Sequence, residues 1–560
     1  MAPTESRKAG RMKILGVNAL FHDPSAALVV DGVTIAAAEE ERFSRRKHGH
    51  RPVPFAAWEL PEQAIRWCLA EAGLSAEDLD AVAYSYDPAL ARPADAMGLD
   101  DPWDGLRQTY AAHAPTFLAD LLPGLDPAAV RFVPHHVAHA ASTALASPYV
   151  SHGSDVLVLD GRGECNSHLA GRYDEHGSLT TFHAQELPHS LGLLYEDLTE
   201  HLGFLRSSDE YKVMALASYG KPRFIDELTE RIRLTGQGGF LTEKVDWRSL
   251  APRLAPGAEW TQDHADLAAS VQLRLEEVLV ELAQRLRSQT GGSHLTLAGG
   301  VALNCVANTE LVENSGYEDI WVQPAAGDAG TALGAALQVA ADGGDRLVPM
   351  PGAALGRGWS DEEIEAALCT ARIGYERPDD LAATVAETLA GDGIVAWFQG
   401  RSEFGPRALG HRSLLAHPGR PENLERLNDV KGREQFRPVA PMVLAERAAD
   451  IFERGPLPSP YMLFVHDVTA EWHALIPAVT HVDGTARIQT VDAVDEPLLA
   501  RMLSEFEART GLPVVVNTSL NTAGRPMVDS PRDALECFGS SPIDLLAIGP
   551  FVVRRSGAFS

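Results

Sequence analysis

The sequence predicts an α/β fold divided into two large domains or three smaller ones. Its 560 residues exceed what a single hydrophobic core usually holds. Strand patterns alternate with helix patterns, which is typical of α/β proteins. A stretch rich in glycine and proline between residues 340 and 358 predicts a linker. We therefore expect a disordered leader at residues 1–12, a first domain at 13–345, a linker at 346–360 and a second domain at 361–560.

The chain begins with a strand and a hairpin. Lys13–Val17 is an apolar run that predicts the first strand. Two further strand patterns, Ala26–Val30 and Val33–Ala38, flank Asp31-Gly32. This residue pair is typical of a two-residue hairpin turn.

Helices and strands then alternate. A helix is expected over Pro61–Ala72, because proline favours a first helical turn and Gly73 favours a helix end. Ala81–Ser85 and Asp155–Leu159 are apolar and predict further strands.

One long helix precedes a Gly-Gly motif. The helix is expected to end near Gly291-Gly292. Strand Leu295–Ala298 then leads through Gly299-Gly300 to a helix from about Ala302. The apolar stripe of the long helix consists of Leu267, Val271, Leu275, Val278, Leu282 and Leu286.

Composition argues against several classes of function. Hydrophobic residues make up 45% and charged residues 22% of the chain, which is ordinary for a globular protein. No apolar run approaches the roughly 20 residues of a membrane helix, and no signal-peptide core follows the polar, basic first residues. The net charge of −29 argues against a nucleic-acid partner, since phosphate backbones require a basic surface. Five scattered cysteines indicate the reducing cytoplasm.

Two histidines and two aspartates form a candidate metal site. His135 and His139 lie four residues apart in a helical stretch, so both imidazoles project from one face. Asp160 ends an apolar strand, and the following Gly161 leaves backbone N–H groups available to phosphate. Asp328 begins a helix of small residues. A polar helix face, a strand-end turn and an N-cap are the simpler explanations. As one set, these nitrogen and oxygen ligands suit Fe²⁺, Mn²⁺ or Zn²⁺ better than Ca²⁺.

Further residues are expected at the same cleft. His22 follows the first strand and could accept a proton from a hydroxyl group, although a surface-loop histidine is an equally good interpretation. Lys47 follows an acidic run and could bind an anion. Gly299 and Gly300 lack side chains, so the backbone there could approach a nucleotide. Asn304 completes this strand–Gly-Gly–helix motif.

A basic cluster lies in the second half of this acidic chain. Several of its members are next to glycine or proline and are expected on loops, where arginine can bind phosphate through two hydrogen bonds. Arg487 and a polar strand end with Ser519 and Asn521 add to the group. A salt-bridged surface is the alternative to the anion pocket that we favour. The cluster consists of Arg401, Arg407, Arg412, Arg420, Arg426, Lys431, Arg433 and Arg437.

Six motifs follow one another along the chain from Met12 onward. They are Phe-His-Asp-Pro-Ser-Ala-Ala, the His-His-x-x-His helix, Ala-Gly-Gly-Val-Ala-Leu-Asn, Phe-Gly-Pro-Arg-Ala-Leu-Gly-His-Arg-Ser, Val-Lys-Gly-Arg-Glu-x-Phe-Arg-Pro and Asn-Thr-Ser-Leu-Asn. With these motifs the chain resembles the O-carbamoyltransferases of the NodU/CmcH family, and in particular the TobZ-type antibiotic carbamoyltransferases. The resemblance covers nearly the whole sequence after Met12.

The resemblance implies a fold and an activity for each domain. The first domain would have an actin-like ATPase fold, akin to threonylcarbamoyl transferases, and the second a YrdC-like fold. The second domain would make carbamoyl-adenylate from carbamoyl phosphate and ATP, with Mg²⁺ accompanying the nucleotide. The first domain would transfer the carbamoyl group to a hydroxyl of a small molecule such as an antibiotic or a glycosylated metabolite. Monomer and homodimer both stay open.

The resemblance also implies roles for individual residues. His135, His139, Asp160 and Asp328 would hold iron, and His22 would be the base at the acceptor hydroxyl. The carbamoyl phosphate and ATP site, in which Lys431 and Arg437 would take a direct part in the chemistry, would consist of Arg407, Lys431, Arg437, Arg487, Ser519 and Asn521.

Two other functions compete with this interpretation. A small-molecule kinase of the same superfold would explain Asp160 and Gly299-Gly300, but it would explain neither the histidine pair nor the second basic domain. The other is a regulatory or assembly protein that binds ATP without catalysing a reaction. The sequence does not specify which hydroxyl compound would be the acceptor.

Overall fold

The first sheet is built from five strands near the beginning of the chain. The structure is a computed structural model in which residues 11–49, 60–236 and 238–555 are described, so all but the last two residues of the predicted leader lie outside them. The strands are β1 (Lys13–Asn18), β2 (Ser25–Val30), β3 (Val33–Glu39), β4 (Ala81–Tyr84) and β5 (Val130–Phe132). Their order is β3-β2-β1-β4-β5, with β2 antiparallel and β4 parallel to β1.

The predicted hairpin connects β2 to β3. Asp31 has a φ of 56° and Gly32 a φ of 77°, and two successive residues in this left-handed region are what a two-residue hairpin turn requires. The hairpin prediction is confirmed. The helices of this part of the chain are α1 (Glu41–Ser44), α2 (Glu62–Glu71), α3 (Asp104–Ala112), α4 (Ala114–Leu121) and α5 (His135–Ala144).

The second sheet repeats the connectivity of the first. Its order is β8-β7-β6-β11-β12, with β7 antiparallel and β11 parallel to β6. Strands β9 and β10 lie between β8 and β11 in the sequence and form a separate two-stranded sheet. The first and second sheets thus share the same strand order and directions, within the part of the chain for which the resemblance implied an actin-like ATPase fold. The strands are β6 (Ser154–Leu159), β7 (Asn166–Tyr173), β8 (Leu179–Glu186), β9 (Ile232–Leu234), β10 (Phe240–Thr242), β11 (His294–Ala298) and β12 (Asp319–Val322).

The helices that follow α5 connect and cover the second sheet. The long helix predicted from the leucine and valine stripe is confirmed as α10. The helix expected from about Ala302 begins instead at Cys305, after a short 3-10 turn, because the Asn304 side chain accepts a hydrogen bond from the N–H of Ala307 and caps it there. The helices are α6 (Leu191–His201), α7 (Glu210–Ala217), α8 (Ile225–Arg231), α9 (Trp247–Leu250), α10 (Gln262–Thr290), α11 (Cys305–Asn314) and α12 (Ala329–Asp342).

Helices α5 and α12 form the core between the two sheets. Small residues let them approach closely. A Cβ added at Gly334 of α12 would lie 1.8 Å from the backbone oxygen of Ala138 of α5, and one added at Gly16 of β1 would lie 1.8 Å from the oxygen of Ala332. This close packing fixes the start of α12 beside the start of α5.

The third sheet has seven strands in the order β19-β15-β20-β14-β13-β21-β22. Both parallel and antiparallel pairs occur in it, and helices cover both of its faces. The predicted α/β class is thus confirmed for both halves of the chain. Its strands are β13 (Val395–Phe398), β14 (Arg412–Ala416), β15 (Ala440–Leu444), β19 (Gln489–Val491), β20 (Val514–Ser519), β21 (Leu545–Ile548) and β22 (Phe551–Arg554). A separate antiparallel sheet consists of β16 (Phe452–Glu453), β17 (His466–Val468) and β18 (Thr485–Ala486).

The remaining helices are α13 (Asp361–Ala371), α14 (Leu381–Ala390), α15 (Glu422–Val430), α16 (Ala448–Ile451), α17 (Pro497–Thr510) and α18 (Pro531–Ser540). Among the described residues, no helix is both long and apolar enough to cross a membrane.

The predicted linker packs against the first sheet. Residues 346–360 contain no helix or strand. The Met350 N–H donates to the Ala146 carbonyl at 2.9 Å, and the Leu355 carbonyl accepts from the Ala37 N–H at 3.1 Å. The domain boundaries themselves stay predictions.

A short segment of the first half of the chain holds two loops of the second. The Gly405 N–H donates to Glu39 at 2.8 Å, and Arg42 donates to the Gly405 carbonyl at 2.7 Å. Arg45 donates to the carbonyl of Met527 at 2.6 Å. Because Glu39 and Arg42 are buried, these contacts form part of a shared interior rather than a surface contact.

Candidate active site

The four predicted metal ligands meet at one point. His135 and His139 lie on α5, Asp160 directly follows β6, and Asp328 directly precedes α12. All four side chains are buried, and their ligand atoms lie within 4.8 Å of one another. Each imidazole Nε2 lies 3.4–3.8 Å from an oxygen of each aspartate. The close packing of α5 on α12 and the end of β6 therefore brings together residues that are distant in the sequence.

These distances and the donor types fit a cation. Ligand atoms placed tetrahedrally at about 2.1 Å from a metal are about 3.4 Å apart. Within the described residues, the Nε2 atoms of His135 and His139 have no hydrogen-bond partner although both are buried. A buried polar nitrogen without a partner is unfavourable, and a bound cation would satisfy both nitrogens. The set of two imidazoles and two carboxylates fits Fe²⁺, Mn²⁺ or Zn²⁺.

Neighbouring groups orient the candidate ligands. The Nδ1 of His135 lies 3.2 Å from the Ser85 carbonyl, and an N–H donated there turns the Nε2 lone pair towards the two aspartates. The Gly300 N–H donates to Asp160 at 2.9 Å. Thr331 donates to the carbonyl of Asp328 at 2.6 Å.

The electrostatics of the cluster also favour positive charge. Burial alone would lower the pKa of His135, but Asp160 and Asp328 raise it well above its usual value. The same histidines hold the pKa of both aspartates below their usual range against the effect of burial. Next to them, burial lowers the pKa of His136 to about 3, so His136 is neutral and lies outside the ligand set.

His22 lies in the loop after β1 and lines the cavity beside this cluster. Its Nδ1 is 2.8 Å from Asp23. The other oxygen of Asp23 is 2.9 Å from the Nδ1 of His48, whose Nε2 is 2.8 Å from Ser208. The structure thus brings both histidines to the same carboxylate.

The charge of His22 depends on what the cavity holds. Burial would lower its pKa, but Asp23, and less strongly Asp328 and Glu196, raise the pKa of His22 to about 10. His22 is therefore a proton donor in this structure. Positive charge beside Asp328 would weaken that contribution and lower the pKa of His22 towards neutrality.

Some residues of the basic cluster stabilise the fold, and others line the cavity. Arg401 and Arg412 donate to backbone carbonyl groups, Arg426 pairs with Asp392, and Arg420 is exposed. Half of the cluster instead lines the cavity, together with Arg487, Ser519 and Asn521. The members that line it are Arg407, Lys431, Arg433 and Arg437.

Lys431 is the most deeply enclosed cation of this group. Its Nζ lies 2.9 Å from Ser519 Oγ and 2.5 Å from Asn521 Oδ1. Burial lowers the pKa of Lys431 well below its usual value, and Arg433 and Arg437 lower it further. The repulsion from Arg433 and Arg437 indicates an excess of positive charge around Lys431, which is suited to a multiply charged anion.

The arginines around Lys431 also repel one another. Burial, followed by repulsion from Arg487, lowers the pKa of Arg407 to about 9. Burial and repulsion from Arg437 lower the pKa of Arg433 to about 9. The Nε atoms of Arg407 and Arg487 are buried and make no hydrogen bond to any described residue. These N–H groups are available to a phosphate.

A single cavity of about 1980 Å³ connects the two groups of residues. Tyr211 of α7 lies between them: its ring centroid is 4.6 Å from the guanidinium carbon of Arg437 and 5.9 Å from the Nζ of Lys47. Lys47 is in turn 3.3 Å from Ser208, which contacts His48. The two anion sites expected from the sequence therefore line one cavity.

Of the glycine and asparagine residues expected to contact a nucleotide, some line the cavity and one does not. Gly161, Gly300 and Asn304 line the cavity, although the Asn304 side chain is also paired with Gln272 at 2.9 Å. Gly299 is not among the lining residues. It has a φ of 93°, and an added Cβ would lie 2.1 Å from the Leu159 oxygen. Its lack of a side chain therefore serves the close approach of two backbone segments.

Some cavity residues had no assigned role in the sequence analysis. Tyr211 and Ser208 are the main ones, and an aromatic ring next to Lys212 in a polar stretch was the available signal. Asp101 and Arg162 also line the cavity and lie 2.5 Å apart. Only the folded chain brings this pair next to Phe21, over which the Arg162 guanidinium lies at 4.8 Å.

Two family models match the chain. Residues 13–337 match the model described as carbamoyltransferase N-terminus, and residues 386–555 match the model described as carbamoyltransferase C-terminus. The candidate metal cluster lies within the first match. The basic residues that line the cavity lie within the second.

Similar proteins match over most of their length. The uncharacterized protein sll1178 of Synechocystis sp. is 37% identical, covering 97% of this chain and 97% of its own. Nodulation protein NolNO of Sinorhizobium fredii is 38% identical, covering 97% of this chain and 80% of its own. A crystal structure of T. kodakarensis HypF covers 60% of this chain and 49% of its own at 14% identity, with a TM-score of 0.34, which is too low to support an argument.

Proposed function

Because the chain belongs to the carbamoyltransferase family, as its matches to both family models show, we propose that this carbamoyltransferase uses ATP and carbamoyl phosphate to carbamoylate a hydroxyl group of a small molecule. The observation that carries the proposal is the single cavity. One end of it is lined by His22 and the two candidate metal-binding aspartates, and the other by buried cations.

The first step activates the carbamoyl group at the cationic end. Carbamoyl phosphate loses phosphate to water, the resulting carbamate attacks the α-phosphorus of ATP, and pyrophosphate leaves, giving carbamoyl-adenylate. Arg407, Arg433, Arg437 and Arg487 stabilise the negative charge that develops during both departures. Lys431 binds a phosphate oxygen as its pKa rises with the incoming charge. Mg²⁺ would accompany the nucleotide.

The second step transfers the carbamoyl group to the acceptor. The acceptor oxygen attacks the carbamoyl carbon, AMP leaves, and the hydroxyl proton passes to the neutral form of His22, which Asp23 orients. Positive charge beside Asp328 favours that neutral form. The nitrogen that receives the proton is Nε2, because Nδ1 bonds to Asp23. His135, His139, Asp160 and Asp328 would hold Fe²⁺, with Mn²⁺ or Zn²⁺ as alternatives, and the ion would supply positive charge that polarises a carbonyl or phosphate oxygen.

A continuous cavity has a chemical purpose in this scheme. Carbamoyl-adenylate is a mixed anhydride and reacts with water, so release into solution would waste it. The cavity is lined by both halves of the chain, so the intermediate can pass from one group of residues to the other without leaving the protein. ATP, carbamoyl phosphate and five free cysteines together suit the cytoplasm.

The proposal is tested by identifying the products. Purified protein is incubated with ATP, carbamoyl phosphate and a panel containing an aminoglycoside, a macrolide, a β-lactam and an oligosaccharide. We expect AMP and pyrophosphate together with a carbamoylated acceptor, detected by mass spectrometry. Formation of ADP with a phosphorylated acceptor would instead establish a kinase. A protein that binds ATP but forms no product with carbamoyl phosphate present would support the regulatory alternative.

A further inference from the structure

A second histidine bonds to the carboxylate that orients His22. Asp23 lies between His22 at 2.8 Å and His48 at 2.9 Å, with a different oxygen facing each ring. The two imidazole centroids are 4.3 Å apart. His22 and Asp23 belong to the loop after β1, whereas His48 belongs to a 3-10 turn that follows α1. The contact therefore depends on the tertiary fold.

The backbone at this contact is strained. Phe21, Asp23 and His48 have φ values of 61°, 45° and 59°, in the left-handed region that residues with a Cβ rarely adopt. Such conformations are unfavourable for residues other than glycine and persist where the surrounding structure fixes them. Three of them meet where His48 approaches Asp23. The chain thus maintains this geometry against its local preferences.

The hydrogen bonds of His48 restrict the orientation of the Asp23 carboxylate. Its Nε2 lies 2.8 Å from the Ser208 hydroxyl, so the ring is held at both ends. With Ser208 donating to Nε2, the Nδ1–H of His48 donates to Asp23. Asp23 then has both of its oxygens engaged and cannot rotate away from His22.

We propose that His48 is a positioning residue that fixes Asp23 and thereby the orientation of His22 for the transfer step. This inference rests on the proposed function and adds a residue to its second step. Loss of the His48 contact would leave Asp23 bonded to His22 alone and free to turn. Because a misplacement of about 1 Å can reduce a rate about 100-fold, we expect transfer to slow by roughly 10- to 100-fold.

Two amide substitutions test the contacts of the two His48 ring nitrogens separately. In His48→Asn the side-chain amide can replace Nδ1 and donate to Asp23, whereas in His48→Gln it can replace Nε2 and contact Ser208. We expect His48→Asn to retain most of the transfer rate and His48→Gln to lose it. The rate is measured in a single turnover, with preformed carbamoyl-adenylate and the panel compound that the wild type modifies. Formation of pyrophosphate, which takes place at the cationic end, reports whether each variant is folded.

A spectroscopic measurement tests the geometry without any acceptor. In protein labelled with ¹⁵N-histidine, the His22 Nδ1 proton bonded to Asp23 is expected as a downfield, slowly exchanging resonance in the wild type and in His48→Asn. The resonance is expected to broaden or disappear in His48→Gln, as it should in Asp23→Ala. Equal resonances and equal transfer rates in both His48 variants would overturn the inference. Absence of any carbamoylated product from the wild type would instead count against the proposed function.

Discussion

Anion binding at Lys431 should be accompanied by proton uptake. Its ammonium group is buried beside Arg433 and Arg437, and the pKa of Lys431 is well below its usual value. A bound dianion reverses the sign of the local potential and raises that pKa again. Between the pKa of the empty site and the higher pKa of the occupied site, the lysine gains a proton on binding. Affinity for the anion must then fall as pH rises through this window.

The size of the effect follows from the number of protons. Uptake of one proton per anion weakens binding by at most about tenfold per pH unit, or about 1.4 kcal/mol. Arg407 and Arg433, whose pKa values are about 9, stay charged near neutral pH. These two arginines therefore contribute no proton uptake there.

Sulfate is the appropriate probe, because it does not titrate near neutral pH. Calorimetric titrations in two buffers of different ionisation enthalpy give the number of protons taken up. We expect up to one proton for the wild type. Lys431→Met should bind sulfate more weakly without uptake, and Lys431→Arg should bind without uptake because arginine stays charged. Identical binding enthalpies for the wild type in both buffers would refute the reasoning.

Three further predictions concern stability and metal content. Arg42→Ala should leave the Glu39 carboxylate buried without its cation and lower the free energy of unfolding by about 3–5 kcal/mol; urea denaturation measures this, and Glu39→Gln in the same chain should restore part of the loss. His139→Ala should abolish co-purification of a transition metal by elemental analysis, whereas His136→Ala on the same helix should retain it. Gly299→Ala should lower the melting temperature, at a cost of about 1–3 kcal/mol, because its Cβ would lie 2.1 Å from a backbone oxygen of β6.

Each of these predictions has a contradicting outcome. Equal stability of the Arg42 variant and its double variant would show that the charge of Glu39 does not matter. Equal metal loss in both histidine variants would indicate general damage to α5 rather than loss of a ligand. An unchanged melting temperature for Gly299→Ala would mean that the loop relaxes without strain.

The sequence was most informative where local pattern and topology agree. His135 and His139 share a helix face through their spacing of four, and Asp160 and Asp328 stand at a strand end and a helix start. Those positions converge because β6 and α12 belong to the same repeated α/β framework. The structure therefore brings the predicted set together, although the ion that it holds stays a proposal.

Other features depended on packing that no local pattern encodes. The residues next to Arg412 in the sequence do not distinguish it from Arg437. In the structure, Arg412 is buried and donates to backbone carbonyl groups, whereas Arg437 lines the cavity. The contact between His48 and Asp23 joins residues 25 positions apart through strained turns. Gly299 matched a nucleotide-binding pattern, but close backbone approach accounts for it.

The position of Tyr211 has a consequence for how such enzymes can diversify. This ring, on α7, contacts Arg437, so the first half of the chain supplies part of the wall around the basic residues of the second half. Exchange of whole halves between relatives would place Tyr211 of one protein against the arginine region of another, and these two surfaces need not fit each other.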